Sequence, residues 1–196
     1  MIDKQEWKQR LHFRNDGAGH LSFGHRVAAT TSYLREMASR HKREPSVLQF
    51  VRESIAVLDG GAESTTLDPD IIMNEARKID FGLQLLRASQ EGNARDVAKL
   101  REWKAPVNFR DPRTGATPLH YVAAYRARAA FRALTKGADC DFLIRDKKGR
   151  LAWELAVNAD DAALARLLIY KTRKQAEAAG VPFPPRRPPA EIPTPR

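Results

Sequence analysis

The residues of this 196-residue sequence with the clearest capacity for chemistry are its five histidines, because imidazole binds metals and transfers protons. They are His12, His20, His25, His41 and His120. Four residues separate His20 from His25, but no cysteine accompanies them and the spacing matches no common zinc motif. The only cysteine, Cys140, can form neither an internal disulfide nor a multi-cysteine metal site. We therefore expect no metal and no cofactor.

The segment "GAGHLSFG", residues 17–24, resembles a phosphate-binding loop only in its glycines. It follows no strand pattern and lacks the Gly-Lys-Ser/Thr ending of a nucleotide-binding loop, so we interpret it as a turn. No Ser/His/Asp set and no carboxylate pair can be argued from the sequence. We expect a protein that is not an enzyme. An active site within residues 1–80 stays open as an alternative, and convergent polar groups in a pocket there would favour it.

The net charge of +10 is unevenly distributed along the chain. Residues 1–80 carry 12 basic and 12 acidic side chains, residues 81–170 carry 16 and 10, and residues 171–196 carry 6 and 2. The excess favours an anionic partner, such as an acidic protein surface, nucleic acid or lipid headgroups. No apolar run is long enough for a membrane span, and the N-terminal residues lack the apolar centre of a secretion signal. These features favour a cytoplasmic location.

Residues 1–80 show irregularly spaced helical patterns. A short helix is predicted over residues 3–12 and a longer one over residues 22–43. A third is bounded by Pro45, which suits a first helical turn, and by Gly60 or Gly61, which suit a C-terminal cap. Its apolar stripe consists of Leu48, Val51, Ile55 and Leu58. This part of the chain is therefore predicted to be a helical region.

A fourth helix is predicted to begin at Asp68, a good N-cap residue followed by Pro69, and to end near Ile79. Beyond it, apolar positions recur in three copies at a constant sequence offset of 34. The four columns are Leu85, Leu119 and Trp153; Ala88, Val122 and Ala156; Val97, Phe131 and Ala165; and Leu100, Leu134 and Leu168. A period of this length indicates stacked supersecondary units, each with two helices.

The middle copy carries the most specific motif. Gly115, Thr117, Pro118, Leu119 and His120 supply a G-x-T-P-L-H run, and the unit ends in Gly-Ala-Asp at residues 137–139. This pattern resembles the ankyrin repeat, and the resemblance covers residues 82–172. It implies an all-α stack of about three repeats in which the motif residues are structural, so the resemblance makes His120 a structural histidine that hydrogen-bonds near Thr117 and the neighbouring turn. The outer copies depart from the motif, as terminal repeats often do.

The ankyrin resemblance also implies a binding surface, formed by the turns and by the exposed side of the first helix of each repeat. Carried over to this sequence, the surface consists of Arg113, Thr114, Ala116, Ala124 and Tyr125 in the middle copy; Lys147, Lys148, Arg150 and Asn158 in the third copy; and Gln90 and Glu91 in the first. We expect a basic concave face with Tyr125 as an aromatic anchor for another protein with an acidic surface. Two alternatives stay open: nucleic acid or another anionic surface as the partner, or a merely solvated face.

The C-terminal residues are rich in proline and arginine, with seven of the twelve prolines between Pro182 and Pro195. Such a composition predicts an extended, disordered tail. Its segment from Pro182 to Arg187 has the form of a PxxP ligand, although any Pro/Arg tail produces such matches by chance. The expected organisation is therefore a helical region at 1–80, a repeat domain at 81–178 and a disordered tail at 179–196.

Overall fold

The computed structural model of the chain describes residues 22–60, 68–137 and 140–183. These ranges contain eight α-helices and no β-strand, which confirms the predicted all-α class for this part of the chain. The helices are α1 (Phe23–Arg40), α2 (Pro45–Asp59), α3 (Pro69–Gln90), α4 (Ala94–Glu102), α5 (Pro118–Ala124), α6 (Arg128–Leu134), α7 (Ala152–Asn158) and α8 (Ala162–Ala178). Among the described helices, none is both long and apolar enough to cross a membrane.

Four predictions from the sequence concern residues outside the described ranges. They are the short helix at 3–12, most of the turn at 17–24, the Ala-Asp end of the middle copy at 138–139 and the proline-rich tail from 184 to 196.

Helices α1 and α2 pack together and against the first half of α3. Pro45 stands in the first turn of α2 and Gly60 at its C-cap, as predicted. The predicted stripe of α2 is partly correct: Val51 is buried, but Ile55 and Leu58 are only half-buried, and Val47 is the other buried aliphatic residue. The apolar core of this region consists of Leu34, Met37, Val47, Val51, Ile72 and Ala76.

Helix α3 is a single element of 22 residues, and the predicted end near Ile79 is wrong. Its start is as expected, because the Asp68 carboxylate accepts a hydrogen bond from the Asp70 N–H at 3.0 Å. The helix continues through Gly82, where a Cβ atom would lie 2.4 Å from the ring of Phe109. Gly82 therefore serves a close packing contact and does not end the helix.

The second half of α3 forms the first of three antiparallel helix pairs. The pairs are α3 with α4, α5 with α6, and α7 with α8. The second helices begin at Ala94, Arg128 and Ala162, which are separated by the same interval as the apolar columns. The residue two before each start has a positive φ, namely 70° at Gly92, 55° at Arg126 and 56° at Asp160. The predicted period therefore appears in the backbone as well as in the apolar pattern.

The three pairs share one apolar core. Helix α5 packs between α3 and α7, and α4 packs against α6. Eleven of the twelve residues in the predicted columns belong to this core, and Trp153 is the half-buried exception. Backbone groups also join successive pairs, since the Lys147 N–H donates to the Thr114 carbonyl at 2.9 Å. The Arg101 guanidinium donates to the Leu134 carbonyl at 2.6 Å.

Candidate functional site

A groove of about 1130 Å³ runs along α3, between the α1–α2 connection and the turn before α5. One wall comes from residues 40–44 at the end of α1, and the opposite wall comes from α5 and the turn that precedes it. The polar and aromatic side chains at its two ends are Arg40, His41, Arg43, Gln84 and Arg87 on one side and Gln90, Asp111, Arg113, Tyr121 and Tyr125 on the other. The groove therefore spans the N-terminal helices and the helix pairs.

The turn before α5 is organised by the carboxylate of Asp111. It accepts hydrogen bonds from the Arg113 N–H at 2.7 Å, the Thr114 hydroxyl at 2.9 Å and the Tyr121 hydroxyl. Burial alone would raise the pKa of Asp111, but these donors outweigh it and hold that pKa below its ordinary value. Burial, followed by the bond to Asp111, raises the pKa of Tyr121 to about 12. The network fixes the turn that carries Arg113.

Tyr125 is the exposed aromatic residue of the groove, with 55% of its surface accessible. Its ring stacks on Tyr121 with centroids 6.4 Å apart and an interplanar angle of 26°. Its hydroxyl accepts a hydrogen bond from Gln90 at 3.2 Å. The predicted anchor is therefore held in place by contacts on two helices while much of its surface remains available.

The basic residues of the predicted surface differ in what their side chains already bind. Lys147 donates its ammonium hydrogen to the Pro112 carbonyl at 2.5 Å, and Arg150 forms an ion pair with Asp146 at 2.7 Å. Arg113 and Lys148 are exposed, and their side chains have no hydrogen-bond partner within the described ranges. The surface is therefore less cationic than its sequence indicates.

The predicted residues also differ in position. Arg113, Tyr125, Gln90 and Glu91 line the groove. Five predicted residues do not line it: Thr114, Lys147, Lys148, Arg150 and Asn158. Ala124 is exposed but Ala116 is buried, so Ala116 cannot contribute side-chain surface to a partner.

His120 has the structural role that was expected. It is buried, its Nδ1 accepts a hydrogen bond from the Thr117 N–H at 3.2 Å, and its Nε2 donates to the Arg150 carbonyl at 3.0 Å. Burial lowers the pKa of His120, because the neutral ring is the form that suits this site. The side chain thus joins α5 to the turn before α7.

A cluster that the sequence did not reveal lies where α1 meets α3. The carboxylate of Asp80 is wholly buried and accepts hydrogen bonds from four side chains. Its donors are Tyr33 at 2.7 Å, His41 Nε2 at 2.7 Å, Gln84 at 2.9 Å and Arg40. Burial alone would raise the pKa of Asp80, but the His41 bond and the Arg40 charge hold it below its ordinary value. Burial and the charge of Asp80 raise the pKa of Tyr33.

This cluster is the convergent polar arrangement that an enzyme with its site in residues 1–80 would require. The geometry favours a structural role for Asp80, because its oxygens are occupied by donors and a buried carboxylate cannot receive a proton from a ligand. Among the described residues, no Ser, Thr or Cys lines the groove beside His41 as a nucleophile. The same part of the chain contains no group of three His, Cys, Asp or Glu side chains placed to hold a metal ion.

The sequence was also compared with models of protein families and with curated proteins. No family model and no curated protein matches the chain.

Proposed function

We propose that the three helix pairs are ankyrin repeats and that the chain recognises another protein through the groove, without catalysing a reaction. The G-x-T-P-L-H run, the regular spacing of the helix starts and the His120 bond to the next turn support the family assignment. The observation that carries the functional proposal is Tyr125, an exposed and positioned aromatic side chain in a groove large enough for a peptide segment.

The charge of the groove supports an acidic partner. Its cations Arg43, Lys99 and Arg113 are exposed or line its walls without a side-chain hydrogen bond among the described residues. Most of its acidic groups are already engaged. Asp111 accepts from its own turn, and Glu91 pairs with Arg87 at 2.8 Å. An acidic surface therefore gains attraction without displacing an existing ion pair.

The test begins with a photo-cross-linking amino acid at position 125, with position 170 as the matched control. Tyr170 is a tyrosine of similar exposure, 60%, on α8 and outside the groove. The purified partner is then titrated with wild type, Tyr125→Ala and Tyr170→Ala. We expect Tyr125→Ala to weaken binding by roughly 1 kcal/mol or more, because truncating an aromatic anchor removes contact area. Tyr170→Ala should bind as wild type does.

Random duplex DNA, titrated at two salt concentrations, separates this proposal from general attraction to anions. Binding to a polyanion should weaken steeply with salt and should not depend on Tyr125. Tight duplex binding that Tyr125→Ala leaves intact, with no protein cross-linked from position 125, would contradict the proposed function and support a nucleic-acid or anionic-surface binder.

A further inference from the structure

The Asp80 cluster leaves several hydrogen-bond donors without acceptors at the end of α1. The Nε and Nη2 groups of Arg40 are buried and have no hydrogen-bond partner. The nearest carboxylate to Nη2, that of Glu36, lies 3.9 Å away. His41 uses Nε2 for Asp80, and its Nδ1 has no hydrogen-bond partner within the described part of the chain. Unsatisfied donors of this kind indicate a missing acceptor.

The same end of the groove carries a further cation. Arg43 is exposed, lines the groove and makes no side-chain hydrogen bond with a described residue. Arg87 is neutralised by Glu91, and Asp80 is shared among four donors, so neither cancels the charge of Arg43. Glu44 is the acidic side chain closest in sequence and lines the same wall. With Arg40 and His41, this end has an excess of positive groups facing a cavity that a ligand can enter.

Helix α3 fixes the distance between this end and the aromatic anchor. Asp80 holds His41, and Gln90 holds the hydroxyl of Tyr125. Asp80 and Gln90 are ten residues apart on one continuous helix, which corresponds to about 15 Å at a rise of about 1.5 Å per residue. An extended peptide covers that distance with about four or five residues, at about 3.3 Å each.

We propose that His41 and Arg43, positioned beside Arg40 by the buried Asp80, form a carboxylate-binding subsite for the partner segment whose apolar side chain contacts Tyr125. This proposal rests on the proposed function and specifies the chemistry of the partner. The partner carries an aromatic or aliphatic anchor and, four or five residues away in an extended segment, an Asp or Glu side chain. Arg43 and the protonated ring of His41 donate hydrogen bonds to that carboxylate.

The probe for this subsite is a random dodecapeptide library displayed on phage and selected on the full chain. Parallel selections use Arg43→Ser, His41→Gln and, as the matched control, Arg95→Ser. Arg95 is an exposed arginine of α4 that does not line the groove. We expect wild type and Arg95→Ser to select peptides with an apolar anchor and an acidic residue at the stated spacing. For a selected peptide, Arg43→Ser should weaken binding at least about tenfold, the loss expected for one charge-assisted contact.

The outcomes distinguish this proposal from the one it rests on. If peptides are selected and depend on Tyr125, but their acidic residue is absent or persists in selections on Arg43→Ser, the subsite is wrong and the proposed function stands. If the selected peptides do not depend on Tyr125, or no peptide is selected from the library, both proposals are contradicted. Because Arg43 is exposed and makes no side-chain hydrogen bond with a described residue, Arg43→Ser should fold normally, and the result does not depend on the folding of His41→Gln.

Discussion

The N-terminal helices and the three helix pairs are stabilised in different ways. The pairs share an apolar core whose members recur at one fixed interval, and each pair contacts the next through similar positions. Helix α1 is instead attached to α3 by polar groups at its two ends. Arg26 contacts Asp68 and Asp70 at 3.0 Å and 2.8 Å at one end, and Asp80 gathers its donors at the other. Between these ends lies a smaller apolar core.

This difference shows which contacts position the two walls of the groove. The wall that carries Tyr125 belongs to the repeated core, where each side chain is one of many similar contacts. The wall that carries Arg43 depends on one buried carboxylate. Substitutions in the pairs should therefore act through packing, and a substitution at Asp80 should act through uncompensated charge.

The largest effect is expected from Asp80→Ala. It leaves the guanidinium of Arg40 buried without its carboxylate, and breaking a buried ion pair in this way costs about 3–5 kcal/mol of unfolding free energy. Urea denaturation measures the loss. The double variant Asp80→Leu with Arg40→Met should be more stable than Asp80→Ala, because it removes both charges. A loss below about 1 kcal/mol for Asp80→Ala would show that the cluster does not hold α1.

Leu119→Ala tests the repeated core on the other side of the comparison. Leu119 is buried between helices, so its truncation should cost about 2–5 kcal/mol through lost transfer free energy and a cavity. Leu167→Ala is the matched control, because Leu167 is 42% exposed and its truncation should cost much less. Equal denaturation midpoints for the two variants would contradict the assigned register of the pairs.

A smaller effect is expected at the helix starts of the pairs. The Asn93 side chain caps α4 by accepting from the Asp96 N–H at 3.2 Å, and Asp161 caps α8 by accepting from the Leu164 N–H at 3.0 Å. Either residue replaced by alanine should lose about 0.5–2 kcal/mol. Asp161→Ala should lose more than Asn93→Ala in thermal unfolding, because Asp161 also binds Arg128. The reverse order would show that Arg128 does not stabilise the junction.

The smallest effect is a pH dependence that arises from His120. Its pKa is lowered in the folded chain, so the unfolded chain binds the proton first as the pH falls. The stability contributed by the neutral ring is therefore fully present above the ordinary pKa of about 6.5 and is lost as the pH falls towards the folded value. His120→Gln should weaken this dependence of the melting temperature, and His25→Gln, at an exposed histidine, should preserve it. Identical pH profiles for both variants would contradict the assignment.

Much of the fold could be predicted because its signals are local or periodic. Proline at the first turn and Asp68 as a cap located the starts of α2 and α3, and the regular spacing of apolar positions identified the core. The end of α3 was missed because Gly82 resembles a helix stop, whereas its missing side chain accommodates the Phe109 ring. That contact joins residues far apart in sequence, so no local pattern reveals it.

The site was less predictable than the fold. The resemblance selected Tyr125 and Arg113, which line the groove, but it could not show that Lys147 and Arg150 already bind neighbouring groups. The Asp80 cluster was missed because most of its donors come from α1 and the residue after it, far from Asp80 in sequence. One signal was present: Asp80 continues the i, i+4 series of Ile72 and Ala76, and a charge on a buried helix face requires partners.

The most direct test of the central claim, that both walls of one groove contact the same partner, is photo-cross-linking from position 43 and from position 125 in otherwise wild-type chains. Arg43 lies on the wall formed by the α1–α2 connection and Tyr125 on the wall formed by the helix pairs. The account predicts that both positions capture the same protein and that position 170 does not. Capture of different proteins from the two walls, or equal capture from position 170, would contradict it.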